Sequence, residues 1–347
     1  MSDIKRAALG VDVGGTHISC GVVDLAVGAL DEASLRGADV DASAGAGEIL
    51  NAWCGPIDAV LDSRAGVVIT GIGVAMPGPF DYANGISYIK GLNKYESLYG
   101  LNVRREFAAR LRFPEDRILF LNDASCFALG ENWVGAGRGF RRMVGITLGT
   151  GFGSALVSGG KCVESGRGVP PGGAFWNYPY RDGIAESFFN GRRLLERYEE
   201  LTGIKLSGVL ELARAAVEEA SLGVDALREA SSASTRAAMG ASMHEASSPS
   251  ALKETEDSAE SSPAGRVFLE YAENLAAFLA PWLKEFGAEG LVIGGNIARS
   301  HGLFLPKMTE YFIEHGVRTR VVPSVLLDKA AIIGAAGLLR KPENNGI

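Results

Sequence analysis

The sequence predicts an α/β protein built from mixed sheets, and three observations carry that prediction. Segments of strand character alternate with segments of helical character along the chain, the pattern of sheets covered by helices. Two glycine-tipped hairpins recur, one near the start and one beyond residue 140. A length of 347 residues is enough for two domains, each able to bury a core of its own.

The first hairpin joins a strand over 7–13 to a second over 17–24 through the turn Gly14-Gly15-Thr16, with partial alternation of apolar residues. Residues 67–75 form an apolar run that reads as a buried strand and ends in Met76-Pro77-Gly78-Pro79. A helix is expected over 103–111. The strand at 117–121 ends at Asn122-Asp123, and 124–130 has helical composition, with Asp123 placed to cap it. Residues 143–148, the turn Gly149-Thr150-Gly151-Phe152-Gly153 and residues 154–157 repeat the strand, turn, strand plan, as a weak internal duplication.

From about 220 to 264 the chain is rich in Ser, Ala and Glu and poor in large apolar residues. That composition reads as a solvated insertion, part helical and part mobile, without a catalytic role. Phe268, Leu275, Leu279, Leu283 and Phe286 then follow helical spacing and predict a long packed helix, with Pro281 as the place for a kink. It leads to a strand at 291–293, the turn Gly294-Gly295-Asn296 and, at 329–339, a last helix of small apolar residues suited to close packing.

The bulk numbers narrow the function classes. With 47% hydrophobic residues, 22% charged and 46 glycines, the composition is that of a soluble globular protein rich in tight turns. A net charge of -7 opposes a nucleic-acid or anionic-membrane partner, because such binding needs clustered Lys and Arg. Cys20, Cys54, Cys126 and Cys162 are far apart with no CxxC pair, which suits reduced thiols in a cytoplasm. No window reaches the ~18 apolar residues of a membrane span, and the opening residues have no signal-peptide core.

Three glycine turns that directly follow strands, at 12–16, 149–153 and 294–296, let backbone N–H groups approach an anionic ligand without side-chain obstruction. Phosphate is the natural guest. Neither GxxxxGK followed by Ser or Thr nor a GxGxxG opening a helix occurs, so a P-loop and a dinucleotide site have no support. The HRD and DFG signatures of protein kinases are missing as well. Asp12 and Asp123 add acidic groups at strand ends, and Asp123 read alone serves equally as a helix cap.

LGVDVGGTHISCGVVD resembles the first phosphate motif of the ROK family (repressors, uncharacterised reading frames and kinases), and ITLGTGFGSALV resembles its second. IGVAMPGPFD, FLNDASCFALGE, LVIGGNIA and DKAAIIGAAGLL match further landmarks in the right order, so the resemblance spans nearly the whole chain apart from the insertion. It implies a two-lobed actin-like ATPase fold, of duplicated ribonuclease-H-like domains, with the active site in the cleft between them. The lobes fall at 1–121 plus 328–347 and at 122–327.

The resemblance implies an ATP-dependent sugar kinase, with glucose as first candidate and fructose, mannose, N-acetylglucosamine or N-acetylmannosamine as alternatives. Asp123 is then the general base, ionised at neutral pH with an ordinary carboxylate pKa near ~4. Asp12 would orient Mg²⁺ through its waters, as hard cations prefer oxygen. Gly14, Gly15, Thr16, Gly149, Thr150 and Gly151 would line the phosphates of ATP, and Gly294, Gly295 and Asn296 the adenosine. Gly78, Asn93, Asn122, Asp123, Glu164 and Glu186 would hold the sugar. A cytoplasmic homodimer is implied too.

One departure stands out. Many members bind a structural zinc through one His and three Cys, and at that spacing this chain has Arg167, Asn177, Pro179 and Ile184. No thiolate or imidazole set is left for a tetrahedral site, so no zinc is expected. Aromatic packing by Phe175, Trp176, Tyr178 and Tyr180 would stiffen the loop instead. Arg167 would face the sugar in place of the histidine. Repressors of the same fold carry a DNA-binding helix-turn-helix, whereas here the first hairpin begins within ten residues of Met1. A catalytically idle sugar-binding protein is the remaining reading.

Overall fold

The computed structural model describes residues 6–63, 67–219, 221 and 262–340. The serine-rich stretch at about 220–264 therefore lies almost wholly outside the described residues. Two five-stranded sheets organise the rest. The first uses β1 (Arg6–Val13), β2 (His17–Asp24), β3 (Arg36–Asp39), β4 (Val68–Met76) and β7 (Ile118–Asn122) in the order β3-β2-β1-β4-β7, while β5 (Phe80–Asp81) and β6 (Ile86–Ser87) form a small separate hairpin. The second uses β8 (Arg142–Leu148), β9 (Phe152–Ser158), β10 (Lys161–Cys162), β13 (Gly290–Gly294) and β14 (Arg320–Pro323) in the order β10-β9-β8-β13-β14; β11 (Pro179–Tyr180) and β12 (Gly183–Ile184) pair by themselves.

The two sheets share one plan. In each, the hairpin strands are antiparallel and two further strands run parallel beside the first hairpin strand. The duplication read from two glycine turns thus extends to the topology of both sheets.

Among the helices of the described residues are α1 (Ala46–Ser63), α2 (Val103–Leu111), α3 (Asp123–Val134), α4 (Ala185–Phe188), α5 (Gly191–Thr202), α6 (Pro263–Phe286), α7 (Leu305–Glu314) and α8 (Ala330–Gly337). On β1 the odd residues Leu9, Val11 and Val13 pack with Ile49, Trp53 and Ile57 of α1 and Phe107 of α2. The even residue Ala8 packs on the other face with Ile332, Ile333 and Ala336 of α8. Period-two alternation therefore divides β1 between two cores. Asp12 belongs to the even set, facing the side where α8 and the second sheet lie. The second core joins Ile146, Leu148 and Phe152 to Phe268, Leu275 and Leu279 of α6, which runs through Pro281 as one element. Burial of Leu279, Ala280 and Leu283 on either side of the proline holds that turn in line.

Helices α3 and α8 lie between the sheets. Helix α3 packs Phe127 and Ala128 on Met143, Val157 and Val292 of the second sheet. The two helices touch almost backbone to backbone: a methyl on Gly130 would stand 2.1 Å from the Ala330 carbonyl oxygen, and one on Gly334 would stand 1.8 Å from that of Cys126. Only glycine fits such a crossing. This is the packing that the small-residue composition of the last helix foretells.

Candidate active site

The end of β7 delivers Asn122 and Asp123 to the gap between the sheets. Asn122 is the helix cap of α3: its Oδ1 accepts from the Ser125 N–H at 3.2 Å. The capping role expected for Asp123 thus falls one residue earlier, because the helix already begins at Asp123. Asp123 Oδ1 accepts from Asn122 Nδ2 at 2.9 Å and from the Ala124 N–H at 2.8 Å. Both hydrogen bonds converge on one oxygen and leave Oδ2 available. Burial raises the Asp123 carboxyl above the usual range; the Ala124 N–H, the charge of Lys94 and the Asn122 amide act in the opposite direction.

Asp12 sits at the tip of the first hairpin, opposite Ser19 and beside Ala75. Deep placement first, then the negative charges of Asp123 and Asp328, pushes its carboxyl up to about 7. Asp12 thus feels the charge of two further acidic groups, of which Asp328 is itself paired with Arg299 at 2.7 Å. A divalent ion placed there would relieve the repulsion, so the donors fit Mg²⁺. Among the described residues no group of three or more His, Cys, Asp or Glu could hold a metal. Mg²⁺ would accordingly draw its other ligands from phosphates and water, its common habit.

The hairpin turns suit the phosphates. A methyl on Gly15 or Gly149 would meet nothing within 4 Å, so both tips border open space, with Thr16 and Thr150 exposed beside them. The first turn is closed by Gly14 N–H donating to the His17 carbonyl at 2.9 Å, the second by Gly149 N–H donating to the Gly151 carbonyl at 3.1 Å. Gly295 has φ of 85°, and a methyl there would lie 2.4 Å from the Leu148 carbonyl oxygen. The turn Gly294-Gly295-Asn296 is therefore pressed against the second hairpin, where an adenosine bound next to the phosphates would lie.

Of the residues nominated for the sugar, Gly78, Asn122, Asp123 and Glu186 lie on or beside this framework. Gly78 is within reach of Tyr82, whose hydroxyl accepts from Asn122. Glu186, on α4, accepts from the Phe152 N–H of the second hairpin at 3.1 Å. Asn93 is exposed and left-handed (φ of 54°), its N–H bound by Glu96 at 3.0 Å. Glu164 is exposed. Arg167 stands apart: its side chain is 80% exposed and pairs with Glu285 at the end of α6.

Zinc does not fit the loop at 167–186. Arg167 and Asn177 are exposed, and Pro179 faces Ile184 across the β11–β12 pair. None of these four positions carries the thiolate or imidazole of a tetrahedral zinc site. Aromatic rings join the loop to α6 instead, with Tyr178 edge-on to Trp282 at 4.8 Å, Phe175 against Phe278 at 5.8 Å and Tyr180 against Phe278 at 5.3 Å. Phe175 is fully buried and its N–H donates to Ser154 Oγ at 2.7 Å. This aromatic clasp holds the segment that carries Glu186.

Three residues near the site escaped the sequence reading. Lys94 is the cation whose charge reaches Asp123. Tyr95 is buried, and its hydroxyl donates to the Gly14 carbonyl of the first hairpin at 2.6 Å. Tyr82 binds Asn122. Lys94 and Tyr95 directly follow Asn93, and that adjacency is the one signal the sequence holds for them. Tyr82 gave no signal.

The strand orders and the paired hairpins define a two-lobed α/β protein of the actin-like ATPase fold. Residues 8–172 match the sequence profile of the ROK family. The glucokinase of Thermotoga maritima is 26% identical over 97% of this chain and 98% of its own. The N-acetyl-D-glucosamine kinase of Salmonella paratyphi A is 36% identical over 44% of this chain and 47% of its own. A ROK family glucokinase from Streptomyces griseus, solved in complex with glucose and AMPPNP, superposes with a TM-score of 0.65 at 22% identity, covering 96% of this chain and 98% of that one. Over nearly its whole length this chain is similar to glucokinases, and over residues 8–172 it is similar to the ROK family.

Proposed function

We propose that the protein is an ATP-dependent hexose kinase that transfers the γ-phosphoryl group of ATP to the 6-hydroxyl of glucose. The arrangement at Asp123 supports this reading most: a carboxylate with one oxygen bound and one available stands close to Asp12 between two open glycine turns. The sugar hydroxyl gives its proton to Asp123 Oδ2 as its oxygen bonds to the γ-phosphorus. The bond from that phosphorus to the bridging oxygen breaks, and ADP leaves with the electron pair. Asp12 would hold Mg²⁺, which when bound shields the phosphate charge. Gly78, Asn122 and Glu186 orient the sugar, with Asn93 and Glu164 at the edge of the site. Positioning of this kind is the main source of rate in phosphoryl transfer.

The same reading places the lobe boundary near residues 121 and 328, the protein in the cytoplasm and two copies in a homodimer, which light scattering of the purified protein would check. No helix among the described residues is long and apolar enough to cross a membrane. The partial match to an N-acetyl-D-glucosamine kinase supports a hexosamine as the second candidate sugar. A coupled ADP-release assay over glucose, fructose, mannose and the N-acetylhexosamines is the test. Sugar-dependent ADP release led by glucose is expected. Absence of release with every sugar would refute the proposal.

A further inference from the structure

Tyr82 has no part in the chemistry so far, yet it stands at a crossing of contacts. Its carbonyl and that of Ala83 accept from the Arg104 guanidinium of α2 at 3.1 and 2.8 Å, which ties this turn to the body of the first lobe. Its ring lies against Phe80, with centroids 5.4 Å apart. Its hydroxyl donates to the Met76 carbonyl at the end of β4 at 3.2 Å and accepts from Asn122 Nδ2 at 3.3 Å. A methyl on Gly78 would come within 3.2 Å of the same oxygen.

The Asn122 amide has one acceptor and two donor hydrogens. Its oxygen accepts from the Ser125 N–H, and its nitrogen donates to Tyr82 and to Asp123 Oδ1. An amide engaged at both ends cannot turn over without losing all three contacts. Two donors on Asp123 Oδ1 then distinguish the two oxygens of the carboxylate. We infer that Tyr82 is a positioning residue for the transfer: by holding the Asn122 amide, its hydroxyl keeps Asp123 Oδ1 bound and makes Oδ2 the oxygen that takes the sugar proton. The inference rests on the kinase reading given above. Without the hydroxyl, one amide hydrogen loses its partner and the base gains freedom to turn, and loosening of a catalytic group lowers turnover more than it lowers binding.

Tyr82→Phe removes one oxygen and keeps the ring against Phe80. In the full-length chain we expect kcat to fall about 5- to 30-fold with the sugar KM within about 3-fold and a melting temperature within a few degrees of wild type, consistent with the loss of the supporting hydrogen bond to Asn122 together with the one to the Met76 carbonyl. In an Asn122→Ala background the same substitution should add less than about 2-fold, because Tyr82 acts through that amide. A kcat within 2-fold of wild type, or an equal loss in both backgrounds, overturns the inference. A purely structural role would lower the melting temperature and spare the kcat of the folded enzyme. Should wild type turn over no hexose, the kinase reading fails but the positioning claim is still tested. The Asn122 side-chain amide signals, assigned by their loss in Asn122→Ala, should exchange with solvent slowly in wild type and faster in Tyr82→Phe. Equal exchange rates would sink the claim.

Discussion

The two glycine hairpins share a fold and differ in charge. Both join antiparallel strands, and both lie in sheets of the same strand order and direction. Counting back from each turn, however, the first hairpin has Asp12 where the second has Thr147. The first therefore brings a carboxylate whose burial and acidic neighbours suit a cation, while the second offers backbone N–H groups, Thr150 and close contact with Glu186. Duplication supplied a symmetrical cradle, and one residue made it electrically lopsided.

The sharpest way to break this picture lies at the junction that serves both hairpins. Asp123→Asn should reduce kcat by about 10³-fold or more while leaving ATP affinity within a few-fold, as loss of a general base does. Titration of nucleotide binding alongside turnover checks both halves. Next comes the asymmetry itself. Asp12→Asn should cost roughly 10²-fold in kcat and raise the Mg²⁺ concentration needed for half-maximal rate, whereas Thr150→Ala should cost less than about 10-fold. Equal losses would show that the hairpins do equivalent work.

A third test reads the same asymmetry without substrate. Asp12 is raised from its ordinary 3.8 to about 7 in the folded chain, so between these values the folded state binds a proton that the unfolded state has released. Its contribution to stability is therefore greatest at low pH and is lost as the pH rises towards 7. Asp12→Asn should remove that slope and stabilise the ligand-free protein at pH 8 by on the order of 1–3 kcal/mol, seen as a higher melting temperature than wild type at pH 8 but not at pH 4. The smallest effect is expected at Lys94. Its charge favours the ionised form of Asp123, so Lys94→Met should move the acid limb of kcat/KM upward by less than about one pH unit. A downward move would show that Lys94 does not act on the base.

What could be read in the sequence followed local chemistry. The hairpins, the strand leading to Asp123 and the small-residue helix at the end were legible because glycine turns, apolar runs and alanine-rich segments carry their own conformational instruction. Helix α1 was missed, with its interior Pro56 and a sequence that gives few cues beyond tertiary burial of Trp53, Ile57 and Val60. The cap of α3 was placed one residue late, since Asn and Asp are both good caps and composition cannot choose between neighbours. Arg167 could not be placed because its partner, Glu285, lies 118 positions away. Tyr82 was invisible for the same reason: its link to Asn122 spans 40 residues.

The crossing of α3 and α8 has a mechanical consequence. Two helices in backbone contact at Gly130 and Gly334 fix the spacing of the layers they join, because any side chain larger than hydrogen at either position would force them apart. Asp123 begins one of these two helices. The proposed base is thus tied through its own helix to a packed joint, whereas the glycine tips at Gly15 and Gly149 border open space.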